Sequence, residues 1–195
     1  MAEIELPEVE ELEERMARPF TRRVALITGI FAVLLAITAL GGKYAMKEMI
    51  LAQQQAADQW AFYQAKNLRE NFYRSQKLRL EMELFERAGT MRPEVQKRFE
   101  EELKKSAQEE SRLNADKKKI EKEARHLEHE RDLYRTKDPY FDYGEALLQI
   151  SIIMASVAIL AHSGGVLAFA LAIAGLGTLL SLNGFFLFFR LPFFH

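Results

Sequence analysis

Charged residues are absent from three long stretches of this chain. Residues 24–42, 146–161 and 166–189 contain none, and these stretches are 19, 16 and 24 residues long. Elements of a soluble domain mix apolar and charged positions, because each element has one wet face. A helix of 19 residues rises roughly 28 Å, close to the thickness of the hydrocarbon layer of a bilayer. The pattern therefore predicts an all-α membrane protein with three transmembrane helices.

The first stretch has one competing interpretation, a cleaved signal peptide. Such a peptide has a short apolar region, a basic start and a small-residue cleavage site. Here the apolar run is long, the tail of residues 1–19 carries seven glutamates, and Ala36–Ala39 gives only a weak cleavage site. We therefore expect a retained span within residues 20–42.

The polar segment between the first two spans, residues 43–143, has a helical pattern. Apolar or small residues recur there mostly at steps of three, four or seven, and no proline occurs between Pro19 and Pro93. The first membrane helix is therefore expected to continue unbroken to about Ala88. Gly89 and Pro93 suit a helix end and a helix start. The recurring residues of this first arm are Met46, Ile50, Ala57, Trp60, Leu68, Phe72, Leu78, Met82 and Phe85.

A second long helix is predicted from Pro93 to about Arg135. Its apolar positions follow strict steps of seven, but three of the five positions between them are charged, so a free two-stranded coiled coil would be marginal. We expect this arm to fold back on the first as a long antiparallel, coiled-coil-like hairpin outside the bilayer. The seam comprises Phe99, Ser106, Leu113, Ile120, Leu127 and Tyr134, with Leu103, Glu110, Lys117, Ala124 and Arg131 between them.

The sequence between the hairpin and the second span predicts a helix end and an interfacial segment. Residues 136–139 read Thr-Lys-Asp-Pro, and Tyr140, Phe141 and Tyr143 follow, a position typical of the lipid headgroup layer. The aromatic C-terminus around Arg190 resembles a second interfacial anchor. The expected domains are an acidic tail (1–19), a first transmembrane helix (20–42), a charged helical hairpin (43–143) and a C-terminal transmembrane helix pair with an aromatic end (144–195).

Charge is segregated along the chain but nearly balanced overall. Residues 43–143 hold 22 of the 27 Lys and Arg and 20 of the 28 Asp and Glu, and the net charge is -1. A nucleic-acid-binding protein needs a basic excess on one face, so this class is disfavoured. The chain has no cysteine, which excludes a disulfide scaffold, thiol catalysis and thiolate metal sites.

Basic residues near the first span predict its orientation. Arg15, Arg18, Arg22 and Arg23 precede it, and the positive-inside rule then favours a cytoplasmic N-terminus with the hairpin on the outer side. Basic residues at the hairpin side of the second span, such as Arg135, favour the reverse. Because the first helix usually dominates, we expect the N-terminus inside.

Two sequence blocks resemble a known family. Phe20–Leu26 reads FTRRVAL and Asp58–Lys66 reads DQWAFYQAK. Both are similar to a family of bacterial membrane proteins known as a domain of unknown function, number 4337. That resemblance covers nearly the whole chain beyond the acidic tail. It implies one span, a charged helical middle, a C-terminal pair of spans and the bacterial inner membrane. It implies no activity, ligand or catalytic residue.

A polar and aromatic block in the first arm is the candidate functional site. Neutral amides beside aromatic rings suit hydrogen bonding at a close helical interface. One interpretation is a Gln- and Tyr-lined pore mouth or polar ligand site; the other is a packed contact between the hairpin arms or between subunits. The residues are Gln55, Asp58, Gln59, Trp60, Tyr63, Gln64 and Lys66.

Small residues recur at helical spacing within the spans. Small faces let helices approach closely in lipid, and three spans offer more such faces than one internal bundle needs. We therefore predict a homo-oligomer, although small residues are also common in membrane helices generally. The packing residues are Ala25, Gly29, Ala32 and Ala36 in the first span and Ala170, Ala174, Gly177 and Ser181 in the third.

No set of residues suggests an enzyme, a cofactor or a metal centre. His126 and His129 are three residues apart on one helix, but they lie in the most charged stretch, where a solvated face is expected. Asn183 is the one amide of the third span and has no evident partner. The leading hypothesis is a non-enzymatic homo-oligomer in membrane lipid whose hairpin is a scaffold or binds a protein partner. The alternative is an oligomeric channel or transporter component.

Overall fold

The described part of the chain is helical. The computed structural model describes residues 19–87 and 89–190. Within them lie three helices: α1 (Pro19–Arg87), α2 (Pro93–Ala161) and α3 (Gly164–Phe186). Each is long and apolar enough to cross a membrane. The all-α prediction is confirmed, whereas the acidic tail, Ala88 and residues 191–195 lie outside the described residues.

Two compact units divide the chain, and α1 and α2 contribute to both. The three-helix unit comprises the described parts of Met1–Glu48 and Leu133–His195. The hairpin unit comprises Met49–Asp132.

The predicted unbroken first helix is confirmed. α1 contains 69 residues, and no interior proline or helix-ending glycine motif interrupts it before Arg87. The backbone N–H groups of Thr90 and Met91 donate to the carbonyl of Arg87 at 3.0 and 3.1 Å, which closes the turn. Pro93 is the first residue of α2, as its fixed φ angle favours.

The predicted helix end at residues 136–139 is wrong, because α2 continues through Pro139 to Ala161. Proline removes one backbone hydrogen bond and crowds the preceding turn, so a continuous helix needs compensating contacts. Tyr140 and Phe141 supply them: both are buried, Tyr140 to 1% exposure, in the three-helix unit. These two aromatic side chains are therefore packing residues, and only Tyr143 of the predicted interfacial group is largely exposed.

α3 is shorter than the uncharged stretch that predicted it. Its N-terminus follows the predicted turn, where the Ser163 hydroxyl accepts from the N–H of Val166 at 3.5 Å. It ends at Phe186, because Leu187 adopts a left-handed conformation with φ 52° and donates to the carbonyl of Asn183 at 2.7 Å. The last three residues of the uncharged stretch, 187–189, therefore lie outside the helix.

The core of the three-helix unit is built from small and branched side chains. Val24, Phe31, Leu148, Ala155 and Ala170 belong to one buried cluster. The opposite faces of the same helices expose large apolar side chains: Leu26, Ile30, Val33, Leu40, Ile153, Leu160, Leu176 and Leu179.

In the hairpin unit the predicted seven-residue seam of α2 faces α1. Ser106, Leu113, Ala124 and Leu127 are buried. The recurring apolar residues of α1 point elsewhere: apart from half-buried Trp60, they are exposed. Periodicity identifies a face but not its partner, and α1 meets α2 with a different face, which includes Ala52, Ala56, Tyr63 and Glu70.

Candidate functional site

A buried carboxylate lies at the centre of the contact between the two arms of the hairpin unit. Glu70 on α1 is only 2% exposed. The Asn114 amide of α2 donates to its Oε1 at 3.0 Å, and the Lys117 ammonium lies 2.5 Å from its Oε2. Lys117 also donates to Asn67 Oδ1 at 2.7 Å. Hydrogen bonds from Asn114 and Lys117 lower the pKa of Glu70 against the opposing effect of desolvation.

A second cluster of charges continues from this centre toward the hairpin turn. Glu110 accepts from Arg74 Nε at 3.0 Å and from Lys77 Nζ at 3.2 Å. These hydrogen bonds, Arg74 first, lower the pKa of Glu110. Arg74 also lies 3.6 Å from Glu70, so it links the two carboxylates.

On the other side of the centre, ionic and aromatic contacts join the arms. Lys66 donates to Asp116 at 2.8 Å and thereby lowers the pKa of that carboxyl. The Lys117 ammonium lies 5.3 Å from the centroid of the Tyr63 ring, within cation–π range. The Trp60 ring lies edge-on to Tyr63, with centroids 5.4 Å apart.

Trp60 is also tied to α2 through its indole nitrogen. Its Nε1–H donates to Glu128 Oε1 at 2.9 Å, and the Arg125 guanidinium lies 6.0 Å from its ring centroid. Near the start of the unit, Arg131 donates to Gln53 Oε1 at 3.0 Å. These pairs join residue numbers that rise on α1 and fall on α2, which defines one antiparallel register.

The predicted polar and aromatic block is divided between two environments. Gln59, Trp60, Tyr63 and Lys66 are half-buried, and the last three contact α2. The remaining residues of the block, Gln55, Asp58 and Gln64, are exposed. Within the predicted block, these three are the side chains that the described structure leaves exposed.

The predicted packing residues are also divided. On α3, Ala170, Ala174, Gly177 and Ser181 are buried inside the three-helix unit. The Ser181 hydroxyl shares a hydrogen bond of 2.8 Å with Thr38 of α1. All four residues on α1 are exposed: Ala25, Gly29, Ala32 and Ala36.

The most buried charged residue of the site was not among the sequence candidates. Glu70 carries no motif, and its partner Lys117 was recognised only as a charged position within the α2 seam. That seam position was the available signal, because a lysine facing another helix requires an acidic partner. The pair Glu70–Lys117 follows once the antiparallel register is known.

The network neutralises its own charges. Carboxylates held ionised by two or more cationic or amide donors are poor proton donors, so they suit fixing a register more than acid–base chemistry. In the described ranges no group of three or more His, Cys, Asp or Glu is placed to hold a metal ion. His126 lies 3.7 Å from Glu130; the histidine is exposed and the glutamate is half-buried.

Comparison with known proteins places the chain in one family. Neither a curated protein nor a solved structure gives a significant match. A family model matches residues 20–187, which include the three helices except Pro19, the first residue of α1. The chain therefore belongs to the family described as a domain of unknown function, DUF4337.

Proposed function

We propose that this chain is a non-enzymatic integral membrane protein that assembles with copies of itself, and that its hairpin unit is a scaffold or partner-binding element. Membrane insertion is supported by the outer surface of the three-helix unit. Large apolar side chains cover it, and Leu160 is 84% exposed. A soluble monomer rarely exposes contiguous apolar surface of this kind, whereas lipid tails solvate it at no cost.

Self-assembly is supported by one observation, the unused small-residue face of α1. Ala25, Gly29, Ala32 and Ala36 recur at steps of four and three and are all exposed. A Cβ atom added at Gly29 would have no neighbour within 4 Å. In lipid, such a face lets a second helix approach closely enough for dispersion forces to hold it. The comparable face of α3 is already occupied inside the unit.

The setting that fits these features is the inner membrane of a bacterium, with a cytoplasmic N-terminus and the hairpin unit on the outer side. The basic residues Arg22 and Arg23 at the start of α1 support that orientation. The hairpin unit is rich in paired charges, so it suits water and not lipid. Its length and polar surface suit contact with other proteins.

The test is the mass of the purified protein. Mass photometry in detergent is expected to show a defined oligomer, and Gly29→Leu is expected to lower the copy number. Gly175→Leu is the matched control, because Gly175 also has no neighbour within 4 Å of an added Cβ but lies on α3. A monomeric wild-type protein without cross-links between copies would refute self-assembly.

A further inference from the structure

The hairpin half of α1 carries a second seam on its outer face. Eleven positions from Ile50 to Phe85 follow one another at alternating steps of four and three, the spacing of a coiled coil. All eleven are exposed, and none is charged. Its large members include Leu68, Leu78 and Met82, and the exposure reaches 87% at Phe85. We call these positions the outer seam: Ile50, Gln54, Ala57, Ala61, Gln64, Leu68, Asn71, Ser75, Leu78, Met82 and Phe85.

The outer seam lies opposite the face that contacts α2. Successive residues of a helix are turned by about 100°, so Leu68 and the buried Glu70 differ by about 200°. The hairpin half of α1 is otherwise highly charged, with residues such as Arg69 and Glu81 between the two faces. An uncharged strip of about five heptads on such a helix indicates that the helix packs against two partners. One is α2, and the other is a helix on the opposite side.

The chemistry of the outer seam matches a second copy of itself. Charged partner surfaces would find no counter-charge on it, and an anionic lipid surface would find no basic residues. Gln64 and Asn71 lie within the seam, and an amide both donates and accepts, so each can pair with its own counterpart. Such pairing favours one register, because a shifted register would leave a buried amide without its partner.

Charges beside the outer seam are partly neutralised within each chain. Arg74 is bound to Glu110 on α2, and Arg79 lies 3.2 Å from Glu83 one turn along α1. These pairs reduce the repulsion between like arginines of two copies.

We propose that the outer seam is a second surface, besides the Gly29 face, through which copies of this chain associate, with their hairpin arms parallel and in register. The parallel orientation rests on the proposed function, since copies inserted in one membrane in the same direction present α1 in the same direction. Each seam residue then lies beside the same residue of a neighbouring copy, while the α2 arms lie on the outside.

Disulfide cross-linking tests the register, because the chain contains no cysteine. Ser75→Cys lies in the outer seam, and oxidation is expected to give a covalent dimer, since a disulfide needs Cβ atoms about 4 Å apart. Ser111→Cys is the matched control: it is equally a serine, exposed, and on α2 at the level of Ser75. It is expected to stay uncross-linked. Cross-linking of both variants, or of neither, would overturn the proposal.

A charge placed in the seam tests its contribution to assembly. Leu68→Lys is expected to reduce the population of the oligomer in mass photometry at least several-fold. Phe62→Lys changes a residue that is also exposed on α1 but lies outside the seam, and it is expected to leave that population unchanged. An oligomer that survives Leu68→Lys and resists cross-linking at Ser75 would refute the seam and leave assembly through the Gly29 face standing. A monomeric wild-type protein would refute both.

Discussion

The amide of Asn183 on α3 holds the backbone of Phe189 through two hydrogen bonds. Its Nδ2 donates to the Phe189 carbonyl at 2.8 Å, and the Phe189 N–H donates to its Oδ1 at 2.9 Å. The Tyr140 hydroxyl donates to the same carbonyl at 3.1 Å. These hydrogen bonds hold the chain that follows α3 against the C-terminal end of α3 and against Tyr140 of α2, the residue next to Pro139.

Removing this amide is expected to destabilise the three-helix unit. Asn183→Leu leaves the N–H of Phe189 without its acceptor, at a cost of about 1–2 kcal/mol. We expect a fall in melting temperature of about 2–8 °C for a chain of this size, measured by thermal unfolding in detergent. Gln149→Leu is the control, because Gln149 is exposed on α2. Equal losses in the two variants would contradict the structural role of Asn183.

Close packing of α2 against α3 predicts a difference between two glycines. A Cβ atom at Gly144 would lie 2.5 Å from Ser181 Oγ and 3.0 Å from the Gly177 carbonyl, so Ser181 would have to leave Thr38. Gly144→Ala is expected to cost about 1–3 kcal/mol in stability.

The matched change at Gly175 of α3 is not expected to destabilise the protein. No atom lies within 4 Å of a Cβ there, so Gly175→Ala should be neutral or stabilise the helix by up to about 1 kcal/mol. Thermal unfolding of both variants under one condition checks the pair. A Gly144→Ala protein as stable as wild type would show that the helices do not approach this closely.

The sequence predicted features that depend on long uniform runs. The three apolar stretches, the turn at Ser163 and the restart at Pro93 all follow from local composition. The prediction that the second helix ends at Pro139 was wrong. The preference of proline against helix interiors is a local effect, and the burial of Tyr140 and Phe141 is a tertiary effect that outweighs this preference.

The candidate site was predicted less well because it depends on pairing. Trp60 and Tyr63 were identified as an unusual local block, but the role of Glu70 emerges only when Asn114 and Lys117 are brought to it from α2. The apolar period of α1 likewise identified a real face without showing that α2 leaves it uncovered. Asn183 drew attention as a lone amide, yet its partner is a backbone group, which no side-chain pattern reveals.

Sidedness of the hairpin unit is testable by labelling. A membrane-impermeant maleimide applied to intact cells is expected to label Ser111→Cys, since Ser111 is exposed in the hairpin unit. An Ala2→Cys variant is expected to react only after the cells are opened. Protection of Ser111→Cys with labelling of Ala2→Cys would reverse the proposed orientation.

Neutralising the buried carboxylate is expected to weaken the hairpin unit. Glu70→Gln leaves the largely buried Lys117 ammonium without its anionic partner, at a cost of about 1–3 kcal/mol. Trp60 is the sole tryptophan and lies in this unit, so its fluorescence during thermal unfolding follows the hairpin. The exposed Glu81→Gln variant should unfold as wild type does. A Glu70→Gln protein with an unchanged unfolding midpoint would contradict this prediction.

Acid is expected to destabilise the hairpin unit through the same groups. The pKa values of Glu70, Glu110 and Asp116 are all lowered by donors from the facing arm. A carboxyl with a lowered folded-state pKa binds protons more readily when unfolded, so it stabilises the fold above its unfolded pKa of about 4 and loses that contribution as the pH falls further. The Trp60 unfolding midpoint should therefore change little through these groups between pH 7 and about 5 and fall between about 4 and 3. Glu70→Gln removes one titrating group, so its midpoint should fall less steeply than that of wild type or Glu81→Gln. A midpoint that rises on acidification over that interval would show that these carboxylates are not held ionised in the folded protein.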